Sequence, residues 1–155
     1  METQNEKTRQ QVAEIQLIYK TTVKPSQRLK ITTSKDAYEI FLTTWDTCKI
    51  EFVEQFKVLL LNRANKVLGI VEISTGSSGG TVADPKIIFA SALKANASSL
   101  IMAHNHPSGN LAPSQSDIQL SRKVREGGKY LEIQVLDHII VTQEGFLSMA
   151  DEGLM

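Results

Sequence analysis

Cysteine is nearly absent from this chain of 155 residues, which contains only Cys48. A single thiol cannot form an internal disulfide, and it suits a reducing compartment. It also excludes every zinc site that takes two or more thiolates from the same chain. Metal binding by this protein would therefore depend on histidine and carboxylate side chains.

Net charge and long apolar runs are missing as well. Lys+Arg and Asp+Glu number 17 each, for a formal net charge of zero. A balanced chain has no overall positive field to attract nucleic acid, so a nucleic-acid partner stays an alternative that charge does not support. No apolar run reaches the length of a bilayer span, and residues 1–10 lack the apolar segment of a signal peptide. We expect no membrane partner and a cytoplasmic location.

The remaining composition is that of an ordinary globular protein, with 41% hydrophobic and 22% charged residues. A chain of this length suits one domain with one sizeable core. Residues 1–10 are polar and predict a flexible N-terminus. We therefore expect a single domain over residues 11–155.

Apolar periodicity and capping residues predict an α/β fold. Helices are predicted to begin at Thr33 or Ser34, at Asp84-Pro85 and at Ser114, and the last to end at Gly127-Gly128. Apolar runs predict strands at residues 12–19, 52–61, 66–73, 99–103 and 130–136, with 139–141 extending or following the last. The order β-α-β-β-α-β-α-β predicts a sandwich of a mixed β-sheet with flanking helices.

Two of the three histidines lie at the end of the apolar strand that precedes a proline-bent loop. His104 and His106 are separated by one residue, so in a strand their side chains point to the same face. Two convergent imidazoles are typical ligands of zinc, whose catalytic sites combine three protein ligands with one water. We therefore predict a metal site here.

Asp117 is the next carboxylate along the chain and the predicted third ligand. Ser114 and Asp117 also resemble a capping box, in which the acid stabilises the start of a helix. Both roles direct the carboxylate towards the same space, and we favour the ligand role. Hydrolysis at such a site also needs a base, for which Glu51, Glu54 and Glu72 on the preceding hairpin are candidates.

The spacing His104-x-His106, seven residues, Ser114-x-x-Asp117 resembles the signature of the JAMM (JAB/MPN) metalloproteases. Residues 54–62, the helix start at 84–85 and the run His-Asn-His-Pro-Ser-Gly resemble the RadC branch of JAB-domain proteins. The resemblance covers roughly residues 30–150. It implies a JAB/MPN-like, cytidine-deaminase-like sandwich and a zinc-dependent hydrolase of peptide or isopeptide bonds with one Zn²⁺ per chain.

The resemblance also implies a role for each site residue. His104, His106 and Asp117 would be the zinc ligands, and Glu54 the general acid/base. Ser114 would donate a hydrogen bond to the oxyanion. Position 105 is Asn, where eukaryotic members carry Ser or Thr, and we expect Asn105 to orient the loop. Nothing in residues 1–30 resembles the helix-hairpin-helix region of full-length RadC proteins.

A second function class stays open. The chain could be a non-catalytic accessory or DNA-metabolism-associated binding protein that keeps the JAB fold and its zinc. For the hydrolase, the expected partner is a peptide or protein substrate. A homodimer, with residues 12–19 pairing with a second chain, is a further alternative. We interpret His138 as a structural histidine and residues 74–80, a Gly/Ser run, as a mobile loop.

Overall fold

The computed structural model describes residues 11–77 and 82–155. Within these ranges, the chain forms four helices, one of them a short 3₁₀ helix, and five strands. They are a 3₁₀ helix Pro25–Gln27, α1 Ser34–Thr44, β1 Gln55–Leu61, β2 Val67–Thr75, α2 Pro85–Lys94, β3 Ser99–Asn105, α3 Gln115–Tyr130, β4 Gln134–Val141 and β5 Phe146–Ser148. None of the helices in these ranges is both long and apolar enough to cross a membrane.

The five strands form one mixed sheet in the order β2-β1-β3-β4-β5. β1 is antiparallel to both β2 and β3, β3 is parallel to β4, and β5 pairs antiparallel with β4 at one edge. The helices flank this sheet, so the predicted α/β class and mixed sheet are confirmed.

The two central strands are buried along their whole length. Every residue of β1 and β3 is buried, as their nearly continuous apolar sequences predict. On one face, Ile101 and Ile139 pack with Phe41 of α1, and on the other face Met102 packs with α2 and α3. Each such side chain, when fully buried, contributes about 1.5–3 kcal/mol of hydrophobic free energy. This burial holds the site-bearing end of β3 in place.

The strand predicted at residues 12–19 is wrong. These residues have no regular secondary structure, and Ile15 and Leu17 are 86% and 83% exposed. The hydroxyl of Tyr19 donates a hydrogen bond to the carbonyl oxygen of Leu68 in β2. Alternating apolar residues favour a strand only where a neighbour supplies the backbone hydrogen bonds, and here the pairing is missing.

The predicted end of α3 at Gly127-Gly128 is also wrong, because the helix continues to Tyr130. A Cβ at Gly127 would lie 2.9 Å from a ring carbon of Phe89, and one at Gly128 would overlap the carbonyl oxygen of Ile133. The two glycines therefore allow close packing inside the helix and do not terminate it.

The last strand is displaced from its predicted position. β4 covers Gln134–Val141, whereas residues 130–133 end the helix and form a turn in which Glu132 has φ 55°. The three-residue strand β5 was not predicted, since so short a run carries little periodicity. The expectation of a flexible segment at residues 1–10, and that of a mobile loop where it covers residues 78–80, fall outside the described residues.

Candidate metal centre

β3 is the middle strand of the sheet, and the two histidines lie at and just beyond its C-terminal end. His104 is 1% exposed and pairs opposite Phe56 of β1. His106 follows the end of the strand, and its backbone N–H donates to the carbonyl oxygen of Val141, 3.2 Å away. The hydrogen bonds from both neighbouring strands fix the backbone that carries the two imidazoles.

The loop after β3 turns the chain towards α3 and orients His106. Gly109 has φ 80°, a left-handed conformation that glycine adopts without strain. Nδ1 of His106 lies 2.5 Å from the carbonyl oxygen of Asn110. A carbonyl oxygen can only accept, so Nδ1 carries the hydrogen and Nε2 presents its lone pair to the site.

Asp117 enters the site from the first turn of α3. Ser114 Oγ accepts from the backbone N–H of Asp117 at 3.1 Å, and Asp117 Oδ2 accepts from the backbone N–H of Ser114 at 2.7 Å. The predicted capping box is confirmed. The same Oδ2 lies 3.4 Å from Nε2 of His104 and 3.8 Å from Nε2 of His106. Capping and approach to the histidines are thus compatible.

The separations between these three side chains suit one cation. The Nε2 atoms of His104 and His106 are 2.9 Å apart. Tetrahedral zinc with bonds near 2.0–2.1 Å places its ligand atoms about 3.3 Å from one another, and the three observed distances lie on both sides of that value. The cluster of His104, His106 and Asp117 could therefore hold a metal ion.

The charges of the cluster are coupled. Burial raises the pKa of Asp117, but the contacts with His104 and His106 outweigh it and leave the pKa below its ordinary value. The contact with Asp117 raises the pKa of His106, against burial, which lowers it. The carboxylate is therefore ionised and attracts positive charge, either a proton on the imidazoles or a cation in its place.

His138, interpreted from sequence as structural, is in hydrogen-bond contact with His104. It is completely buried on β4, and its Nε2 atom is 2.7 Å from Nδ1 of His104. Burial, followed by the nearby charge of His104, lowers the pKa of His138 well below its ordinary value. The contact depends on the parallel pairing of β3 and β4 across 34 residues of sequence. No local pattern could have indicated it.

Among the three candidate bases, Glu54 lies nearest to the histidines in the strand register. It directly precedes β1 and is half-buried, and continuing the pairing of Phe56 with His104 by two residues puts it opposite His106. Its negative charge is one cause of the raised pKa of His106. The structure thus brings Glu54 towards the candidate metal centre.

Glu72 and Glu51 have different surroundings. Glu72 pairs with Lys57, on the opposite face of the sheet from Phe56 and His104, and its carboxylate accepts from the hydroxyl of Thr75 at 2.6 Å. Glu51 is exposed and precedes β1 in a turn. Neither combines the burial and the register of Glu54.

Asn105 connects the histidine strand to the segment that carries Glu54. Its Oδ1 accepts from the backbone N–H of Gln55, and its Nδ2 donates to the carbonyl oxygens of Ile50 and Val53, all at 2.7–2.8 Å. Asn105 is completely buried. These three bonds hold the backbone on both sides of Glu54, so Asn105 orients the segment before β1; that it orients the loop after β3 stays a prediction.

Ser114 is exposed at the start of α3. Its oxygen accepts the capping hydrogen bond, so the cap does not use its own hydroxyl hydrogen. That hydrogen can be donated to a group bound next to Asp117.

Residues 31–154 match the family model of the RadC-like JAB domain. A UPF0758 protein of Flavobacterium johnsoniae is 41% identical over 125 residues, which are 81% of this chain and 53% of that protein. A UPF0758 protein of Clostridium beijerinckii is 35% identical over 144 residues, 93% of this chain and 62% of that protein. The chain thus spans between about half and two thirds of the length of these curated relatives.

Proposed function

We propose that this chain, which belongs to the RadC-like JAB domain family of the JAB/MPN superfamily, is a zinc-dependent hydrolase of peptide or isopeptide bonds. The observation that supports this most is the cluster of His104, His106 and Asp117, whose ligand atoms lie within 4.8 Å of one another. Two imidazole nitrogens and one carboxylate oxygen are a ligand set that zinc accepts in catalytic sites, with one position open.

Each residue of the site has a task in this mechanism. Zinc bound by the three side chains would lower the pKa of water to about 7 and so supply hydroxide chemistry at neutral pH. Glu54 takes the proton of the attacking water and delivers it to the leaving amine. Ser114 donates its hydroxyl hydrogen to the oxyanion that develops on the scissile carbonyl group. Asn105 keeps the backbone around Glu54 at a constant distance from the histidines.

A cleft of about 230 Å³ beside His106 offers room for part of a polypeptide substrate. It is lined by residues 106–109 and 142–144 together with Ile50 and Glu51. Because His106 forms part of both the cleft and the metal cluster, a polypeptide segment in the cleft would lie beside the proposed metal centre. This position supports a peptide or protein as the substrate.

The test combines zinc analysis with a hydrolysis screen of peptide and isopeptide libraries. We expect about one zinc per chain and a hydrolysis that a chelator abolishes. Glu54→Gln should retain zinc but lose turnover by roughly 100- to 10,000-fold, since general acid–base catalysis contributes that much. Glu72→Gln, on the opposite face of the sheet, is the matched control and should retain both.

Wild-type turnover in Glu54→Gln would contradict the mechanism. A zinc-loaded protein that hydrolyses no peptide but binds nucleic acid at physiological salt would favour the non-catalytic accessory function instead.

A further inference from the structure

Ser121, His138 and His104 form a continuous chain of hydrogen bonds behind the candidate metal centre. Ser121 Oγ lies 2.7 Å from the carbonyl oxygen of Asp117 and 2.5 Å from Nδ1 of His138. On the other side of the His138 ring, Nε2 lies 2.7 Å from Nδ1 of His104. All three residues are at most 1% exposed, so bulk water does not compete for these bonds.

The direction of every bond in this chain follows from its first link. A hydroxyl group has one hydrogen, and a carbonyl oxygen can only accept. Two oxygens 2.7 Å apart therefore require the Ser121 hydrogen between them, pointing at Asp117. Ser121 must then accept from Nδ1–H of His138, which leaves the Nε2 lone pair of His138 to accept from Nδ1–H of His104.

We infer that Ser121 and His138 are positioning residues that hold His104 as the Nδ1–H tautomer, with the Nε2 lone pair facing Asp117. The inference rests on the proposed metal site, but it does not require hydrolysis. An imidazole partner can donate or accept, so His138 alone would not select a tautomer of His104. Ser121 removes this ambiguity, whereas the carbonyl group of Asn110 selects the tautomer of His106 without help.

The first test is the tautomeric state of the histidines in the metal-free wild-type protein. The chain has three histidines, so long-range ¹H–¹⁵N correlation spectra of ¹⁵N-labelled protein contain three imidazole patterns. We expect Nδ1–H at both His104 and His138. A pattern without the Nδ1 hydrogen at either residue would overturn the inference, whatever the outcome of the hydrolysis screen.

Ser121→Ala tests the origin of the selection. Without the hydroxyl group, His138 can adopt either tautomer, and we expect mixed patterns at His138 and His104. Ser91→Ala is the matched control. The hydroxyl of Ser91 in α2 donates to the carbonyl oxygen of Ile87, four residues earlier, at 2.9 Å, as that of Ser121 in α3 does to Asp117. Unchanged histidine spectra in a folded Ser121→Ala variant would contradict the role of Ser121.

His138→Phe and His138→Gln test the consequence for the metal site. Phenylalanine fills the space without an acceptor, and we expect zinc affinity, measured by chelator competition, to fall about 10- to 100-fold, as it does when the partner of a metal-bound histidine is removed. Glutamine places an amide oxygen near the position of Nε2 and should recover part of the affinity. Wild-type affinity in a folded His138→Phe variant would overturn the inference and leave the proposed hydrolase intact.

Discussion

Two helices of this protein begin with the same motif but differ in what faces it. At α1, Thr33 Oγ1 accepts from the backbone N–H of Asp36, and Asp36 Oδ2 accepts from that of Thr33. At α3, Ser114 and Asp117 form the same reciprocal pair. Both are capping boxes with a hydroxyl residue at the N-cap and an aspartate three residues later.

The two aspartates differ in their third partner. Asp36 Oδ2 also accepts from the hydroxyl of Thr32 at 2.6 Å, whereas Asp117 Oδ2 lies 3.4 Å from Nε2 of His104. The local sequence therefore creates a helix start in both places. Only the position of the α3 start beside the end of β3, which brings Asp117 to the histidines, makes one of these starts part of a candidate metal centre.

The largest expected difference between the two boxes is in zinc affinity. Four-ligand structural zinc sites bind with about 10–16 kcal/mol, or roughly 3 kcal/mol per ligand, so Asp117→Asn should weaken zinc binding about 100- to 1,000-fold. Asp36→Asn is the matched control and should bind zinc like the wild type. Chelator competition measures both affinities, and equal affinities in the two variants would remove Asp117 from the ligand set.

Removing the N-cap hydroxyl group should cost similar stability in the two boxes, but only its removal from Ser114 should lower the turnover. Thr33→Ala and Ser114→Ala each remove an N-cap, which costs about 1 kcal/mol of unfolding free energy. Ser114→Ala should in addition lower kcat by about 100-fold, because it removes a donor to the oxyanion. Denaturant unfolding and kcat on a substrate found in the screen distinguish the two effects. A Thr33→Ala variant that loses turnover equally would show that Ser114 acts through the fold alone.

The smallest expected effect is the pH dependence of the unfolding free energy that Asp36 contributes in the α1 capping box. Hydrogen bonds from the Thr32 side chain and from the backbone N–H groups of Thr32 and Thr33 lower the pKa of Asp36 from 3.8 to about 2. Because the folded-state pKa is the lower one, the stabilisation is complete above about pH 4 and disappears as the pH falls through about 2. The difference in unfolding free energy between wild type and Asp36→Asn should shrink over that window. A difference independent of pH would contradict this assignment.

Predictions from the sequence are confirmed where the interaction that determines the structure is local. The helix starts at Thr33, Asp84 and Ser114 are confirmed, because each depends on a side chain that accepts a hydrogen bond within the first turn. The pairing of His104 with His106 on one face follows from the period of a strand. The predictions failed at residues 12–19 and at Gly128, where the result depends on segments distant in sequence.

Local chemistry in the chain thus determined the helix starts, the buried central strands and the two histidines with their capped aspartate. The tertiary structure decided which carboxylate approaches the histidines from β1, and it placed His138 and Ser121 behind His104. It also showed that Asn105 holds the segment around Glu54. The reason is physical: a cap or a strand face needs only hydrogen bonds and side-chain directions within a few residues. The contacts around His104 and Glu54 require strands that lie side by side only after the whole sheet has formed.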